Sequence, residues 1–363
     1  MKVRPSTFHS LNYKTMRTSR YFGLPYGLMM IAIIGCNTDP IIDPPLQPPP
    51  VLDCSQNVTV PAADTLVHPP PYQGVTQPDY IYYEGYELTD ISFNPNDPNQ
   101  LVVAVYINRQ GVIPQITSNG FAIVRVDICT GAESVIYVSE HDGTIKCLDW
   151  GKNDSIAFVQ GRDLHSVFTL RPDGSNLFGT EIPFGYFDSH NVRWSLDGES
   201  IYLAHLAANI VQFNIAGTLL SSDIDLPAPD FDYLPDGRIG YIGSGIHIFD
   251  PTTGNSEMLD ALPYISNRYD VAYSEKHNAL FWAADTVVGL TNIETGQTTL
   301  LKVGGNDVVR YYNTAASTNG YLAYKAYVIS PTLSTNNSRA VRTELRFINA
   351  DGTNERRLVL DFQ

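Results

Sequence analysis

Trp194-Ser195-Leu196-Asp197-Gly198-Glu199-Ser200-Ile201-Tyr202 decides how the chain folds. An aromatic closes one short stretch, Val192-Arg193-Trp194, and an alternating stretch opens at Ser200. Between them, Asp197-Gly198 supplies the positive φ that a tight hairpin turn needs. The same order returns at Phe231-Asp232-Tyr233, followed by Pro235-Asp236-Gly237. Upstream it appears as Leu148-Asp149-Trp150 before Gly151 to Asp154, and as Ile91-Ser92-Phe93 before Asn94 to Asp97. Downstream it appears as Val271-Ala272-Tyr273 before Ser274 to His277, and as Arg310-Tyr311-Tyr312 before Asn313 to Gly320. The aromatics lie 57, 44, 39, 40 and 39 residues apart, a period near 40 that marks a propeller blade.

A second element gives the same count independently. Each unit carries a later strand that ends in a turn, five of them closed by Gly131, Gly174, Gly217, Gly254 and Gly296 and the last by Asn349-Ala350-Asp351-Gly352. The two elements interleave, which predicts four strands in each of six units. The stretches Trp194–Tyr202, Tyr233–Ile239 and Phe347–Asn354 resemble the repeat of TolB-type propellers, and the resemblance extends over residues 88–361. The first, fifth and sixth units depart from that repeat, because they lack the Asp-Gly turn after the first strand. WD-repeat propellers are similar in architecture, but their Trp-Asp ending is missing. The resemblance implies an all-β, six-bladed β-propeller with four antiparallel strands per blade, used for protein interaction or ligand binding. One blade cannot bury both faces alone, so the recurring aromatics are expected to fill the seams between blades.

The expected order along the chain is a signal peptide at 1–35, a lipidated Pro-rich tether at 36–58, a Tyr-rich lead-in at 59–87 and the propeller at 88–363. Basic residues come first, then an apolar run from Tyr21 to Gly35 that is too short for a good membrane span and suits export. Ile33-Ile34-Gly35-Cys36 resembles the lipobox of bacterial lipoproteins, which implies a diacylglycerol on Cys36 and cleavage before it. Met16 offers an alternative start. Pro44-Pro45 and Pro48-Pro49-Pro50 form a stiff spacer that holds a domain off a bilayer. Asn37 follows Cys36 in place of an inner-membrane retention acid, which by analogy favours the outer membrane. Cys54, Cys129 and Cys147 then remain, so at most one disulfide forms among them, Cys129–Cys147 being one option.

Net charge is −15, and the first 35 residues hold five bases and no acid, which leaves 18 Lys and Arg against 38 Asp and Glu after cleavage. Such a surface repels nucleic acid and anionic headgroups. It accepts cations, basic partners and neutral ligands, and the expected species is a monomer with an envelope protein or small ligand on its tunnel face.

In a four-stranded blade the innermost strand starts at one mouth of the central tunnel, so residues just before the aromatics face that mouth. They are Asp90, His190 with Asn191, Asp230, Asp270 and Asp307, with Cys147 in the second blade. Together the acids would concentrate a cation or a basic side chain. A calcium ion is a candidate occupant, given about six to eight oxygen ligands. Taken singly, each acid is equally suited to capping a turn or binding neighbouring backbone. Two long insertions belong to the same face, from about Tyr106 to Gly120 with Arg109, and from about Tyr327 to Val341 with Arg339.

Catalytic motifs are missing. Gly243-Ser244-Gly245 lacks the Gly two residues before the Ser that a nucleophile elbow needs. The last blade ends at Phe362, which leaves no length for a hydrolase domain after it. The expectation is a scaffold with no catalytic residues, no bound metal and no required cofactor. The alternative from the enzyme class is a metal-dependent propeller lyase acting on acidic sugars, drawing on His141, His165, His190, His205, His247 and His277.

Overall fold

The period near 40 is realised as six antiparallel sheets, each running from an innermost to an outermost strand. The computed structural model describes residues 58–62, 81–83, 86–107, 120–139, 143–161, 166–181, 189–205, 209–216, 218–226, 230–262, 269–304, 309–333 and 339–360. Every element among them is a β-strand. The innermost strands of blades 1 to 6 are Tyr86–Phe93, Thr144–Trp150, Ser189–Trp194, Phe231–Tyr233, Tyr269–Ser274 and Val309–Ala316. The anchoring segment, including Cys36, lies outside the described residues.

Turn chemistry sets the registers. Gly198 and Gly237 take φ of 72° and 86°, the region a side chain with a Cβ rarely enters. Blades 2 and 5 lack that Gly, and there Asp154 and Asn278 adopt the left-handed conformation at φ 55° and 45°.

Apolar side chains fill most of the seams between blades. Phe93, Trp150 and Trp194 are buried within them, and Phe93 meets Phe347 edge-on at 6.4 Å where blade 6 closes on blade 1. All four canonical strands of blade 6 come from the C-terminal part of the chain. The lead-in adds to that blade from outside. Thr59–Pro61 pairs antiparallel with Arg356–Leu358, and Ile81–Tyr83 runs parallel to Arg339–Val341. Arg356 fastens the first of these by donating from Nε to Thr59 Oγ1 at 2.7 Å.

Three expectations change. The insertion read as a loop from Tyr327 to Val341 is mostly a long hairpin, with strands Leu322–Leu333 and Arg339–Ile348. In blade 6 the turn hydrogen bond runs from Ser317 N to Tyr321 O, equivalent to Ser195 N to Ser200 O in blade 3. Ala316 therefore stands where the other blades carry an aromatic, and the register lies four residues beyond the one read from Tyr312. Cys129 is disulfide-bonded and Cys147 is a free, buried thiol, so the pairing of those two does not form. The partner of Cys129 lies outside the described residues.

Candidate binding site in the tunnel

Each innermost strand carries two residues on the side facing the next blade, three positions and one position before its aromatic. Period-two alternation puts both on one face. In blades 1 to 5 these pairs are Asp90 and Ser92, Cys147 and Asp149, Asn191 and Arg193, Asp230 and Asp232, and Asp270 and Ala272. In blade 6 the corrected register makes them Asn313 and Ala315. Asp307 lies outside the described residues, as does Arg109. His190 and Arg339 are placed on strands, but their side chains are not described.

These residues join the blades in a closed circuit. Asp90 Oδ2 accepts from Leu148 N at 2.7 Å, and Asp149 Oδ2 accepts from Trp194 N at 2.8 Å. Asn191 Nδ2 donates to Phe231 O at 3.1 Å. Asp232 Oδ2 accepts from Tyr273 N at 2.6 Å, and Asp270 Oδ2 accepts from Thr314 N. Asn313 Nδ2 closes the ring by donating to Asp90 Oδ1 at 3.0 Å. Every seam thus has a polar latch at its inner edge. The second oxygens of Asp90, Asp232 and Asp270 accept from the amide of the following residue, and that of Asp149 accepts from Ser92.

Arg193 reaches across the tunnel from blade 3. Its Nη1 donates to Val192 O at 3.0 Å and its Nη2 to Val271 O in blade 5 at 3.4 Å. Asp232 Oδ1 lies 3.6 Å from its Nε, and Asp270 Oδ1 lies 3.8 Å from its Nη2. Five carboxylates, from Asp90, Asp149, Asp230, Asp232 and Asp270, feel this one guanidinium. Burial pushes all five pKa values up, and Arg193 offsets only part of that rise. Asp232 is raised from 3.8 to about 6. Asp230 is raised further by neighbouring Asp270 and Asp90.

Two acceptors stand outside the circuit. Among the described residues no donor reaches the carboxylate of Asp230. Asn191, in the adjacent blade at the same level, is 2% exposed, and its Oδ1 has no hydrogen-bond partner. At the other end of the tunnel a cavity of about 150 Å³ opens above Asp149, Arg193 and Asp232. It exists because Ala272, Ala315 and Ala316 are small where other blades carry larger groups.

Asp90, Asn191, Asp230 and Asp270, expected at the mouth, stand at one level of the tunnel. Asp149, Arg193 and Asp232, not among the expected residues, each sit two residues along the same strand face. No group of three or more His, Cys, Asp and Glu among the described residues is arranged to hold a metal ion. Of the six histidines considered for a lyase, His247 stacks on Tyr241 in blade 4. His277 faces Gly320 O at 3.2 Å in the turn region of blades 5 and 6. The side chains of the other four are not described.

No family model and no curated protein sequence matches the chain. Among solved structures it is similar to TolB from Acinetobacter baumannii, with TM-score 0.50 and 16% identity over 76% of this chain and 63% of that one. The shared feature is the six-bladed propeller. The match leaves more than a third of TolB's own length uncovered. A chain of a nidogen/laminin complex also aligns, with TM-score 0.45 and 15% identity over 63% of this chain and 84% of that one.

Proposed function

We propose that the chain is a lipoprotein held at the cell envelope, on the outer membrane, through Cys36. Its propeller is a non-enzymatic scaffold that takes a basic side chain of an envelope protein at the tunnel. The export-like start, the lipobox-like Cys36 and the disulfide-bonded Cys129 support an oxidising, extracytoplasmic setting. The observation that carries the binding role is the pair Asp230 and Asn191 Oδ1, neighbouring acceptors that no donor among the described residues reaches, in a wall whose other carboxylates are hydrogen-bonded. A lysine ammonium supplies three donors and a positive charge to a place with surplus carboxylate. Its arrival favours the ionised acids, so binding should release protons near neutral pH.

Thermal unfolding of the full chain in detergent tests this, with the peptide Ala-Lys-Ala against its norleucine analogue. A ligand that binds only the native state must raise the midpoint. The lysine peptide should raise it, and norleucine should not. Asp230→Asn should abolish the response, and an undiminished response in that variant overturns the site. Cys36→Ser should move the chain out of the membrane fraction, and its retention there overturns the anchor.

A further inference from the structure

The lower rim between blades 2 and 3 holds a groove of about 600 Å³, away from the tunnel. This volume is typical of small-molecule sites. Phe178 and Ile215 form its apolar sides, 47% and 55% exposed. Phe178 opens the outermost strand of blade 2, which is only four residues long, and pairs there with Thr169.

Trp194 lines the same groove. Its indole packs against Gly151, where a Cβ would lie 2.6 Å from Trp194 Cγ. The residue is 6% exposed, yet its Nε1–H has no acceptor. The contrast with blade 2 is informative, because there the equivalent Trp150 donates to Asp154 Oδ1 at 3.3 Å. A buried donor left unpaired carries a cost, and a ligand oxygen would remove it only if the groove side chains shift enough to uncover Nε1.

The rim is polar without net charge. Arg171 uses Nη1 on Asn153 O and Asp154 O, which fixes the guanidinium beside the groove, with no partner for its other nitrogens among the described residues. Glu199 and Asn176 are exposed on the rim, and one acid there matches one base. One exposed aromatic ring at Phe178, an aliphatic wall at Ile215, a buried indole beneath them and planar polar side chains on the rim suit a ligand with apolar ring faces and many hydroxyls. We infer that this groove binds a neutral oligosaccharide.

Tryptophan fluorescence of the full chain tests it, titrated with maltotriose, cellotriose and triacetylchitotriose. The chain has three tryptophans, so Trp194→Phe also assigns the signal. At least one sugar should saturate with a dissociation constant of about 1 mM or tighter. Phe178→Ala should weaken it about tenfold. Trp194→Phe removes the Nε1–H together with part of the buried ring under the groove and should weaken it about fivefold, read by calorimetry. Asp230→Asn should leave it unchanged, which separates this site from the tunnel. Failure of all three sugars to saturate, or unaltered affinity in Phe178→Ala, overturns the inference. So does saturation by trileucine in their place, which would make the groove a peptide site.

Discussion

Two buried charge clusters sit in this propeller, and they are built on opposite terms. In the seam between blades 5 and 6, Glu344 meets Arg342, Arg346 and Arg357 at 2.6 to 2.9 Å. Glu355 meets Arg346 at 3.0 Å and also Lys302 and Tyr324. Each carboxylate there has at least two cationic partners within hydrogen-bond range. In the tunnel five carboxylates share one guanidinium, and its two ion-pair approaches, 3.6 and 3.8 Å, are loose. A saturated cluster has nothing left to offer a ligand. The tunnel keeps unmet acceptors and surplus charge, which is a standing cost unless something binds or protons do.

The difference predicts unequal responses to losing a cation. Arg346 is fully buried and bridges Glu344 to Glu355. Arg346→Met should cost about 3–5 kcal/mol in denaturant unfolding, because two buried carboxylates lose their shared partner. A loss under about 1 kcal/mol would mean that Arg342, Arg357 and Lys302 suffice, and the contrast between the clusters would be one of degree.

The two clusters also differ in how they respond to pH. A carboxyl whose folded pKa is raised binds its proton more tightly in the native state, so stability falls as pH rises through the interval between the two values. For Asp232 that interval runs from 3.8 to about 6, worth at most about 3 kcal/mol. The other four tunnel acids shift in the same direction. The exposed turn acids Asp173, Asp197, Asp250 and Asp351 shift oppositely, held down by Ser and Thr or backbone donors, and they lose stability only as pH falls below the ordinary carboxylate range. The melting midpoint should therefore rise by several degrees from neutral pH to about pH 5, at roughly 2 °C per kcal/mol, and then fall. A midpoint that declines steadily over that first interval would show the tunnel acids to be fully compensated.

Most of the fold was legible because its signals are local. An Asp-Gly turn and an aromatic lie within a few residues of each other, and in blades 3 and 4 both are present. Blade 6 misled because Tyr311 and Tyr312 supply aromatics one turn early, while Ala316 holds the structural place. Counting back from the turn would have found the register, since Ser317-Thr318-Asn319-Gly320 matches Ser195-Leu196-Asp197-Gly198. The level of the tunnel acids followed from the repeat. Their division into latches and free acceptors did not, because it depends on contacts between strands some 40 to 60 residues apart. Arg193 was visible as a charge inside Val192-Arg193-Trp194, but nothing local says how many acids it must serve.

The finest test separates two neighbouring acids that look alike in sequence. Asp270 accepts from Val271 N and Thr314 N, so it fastens blade 5 to blade 6. An Asn there keeps one acceptor and turns its amide toward the other donor, which should cost about 1–2 kcal/mol. Asp230 has no donor to lose among the described residues, and its charge sits among Asp270 and Asp90. Asp230→Asn removes that repulsion and should stabilise the fold by about 1 kcal/mol at neutral pH, with the gain shrinking as pH falls toward the ordinary carboxylate range. Denaturant midpoints of the two single variants decide it. If Asp230→Asn destabilises as much as Asp270→Asn, then Asp230 is one more latch, and the tunnel holds its acids for the fold alone. If the signs differ, the acid that the fold does not need is the one kept for a partner.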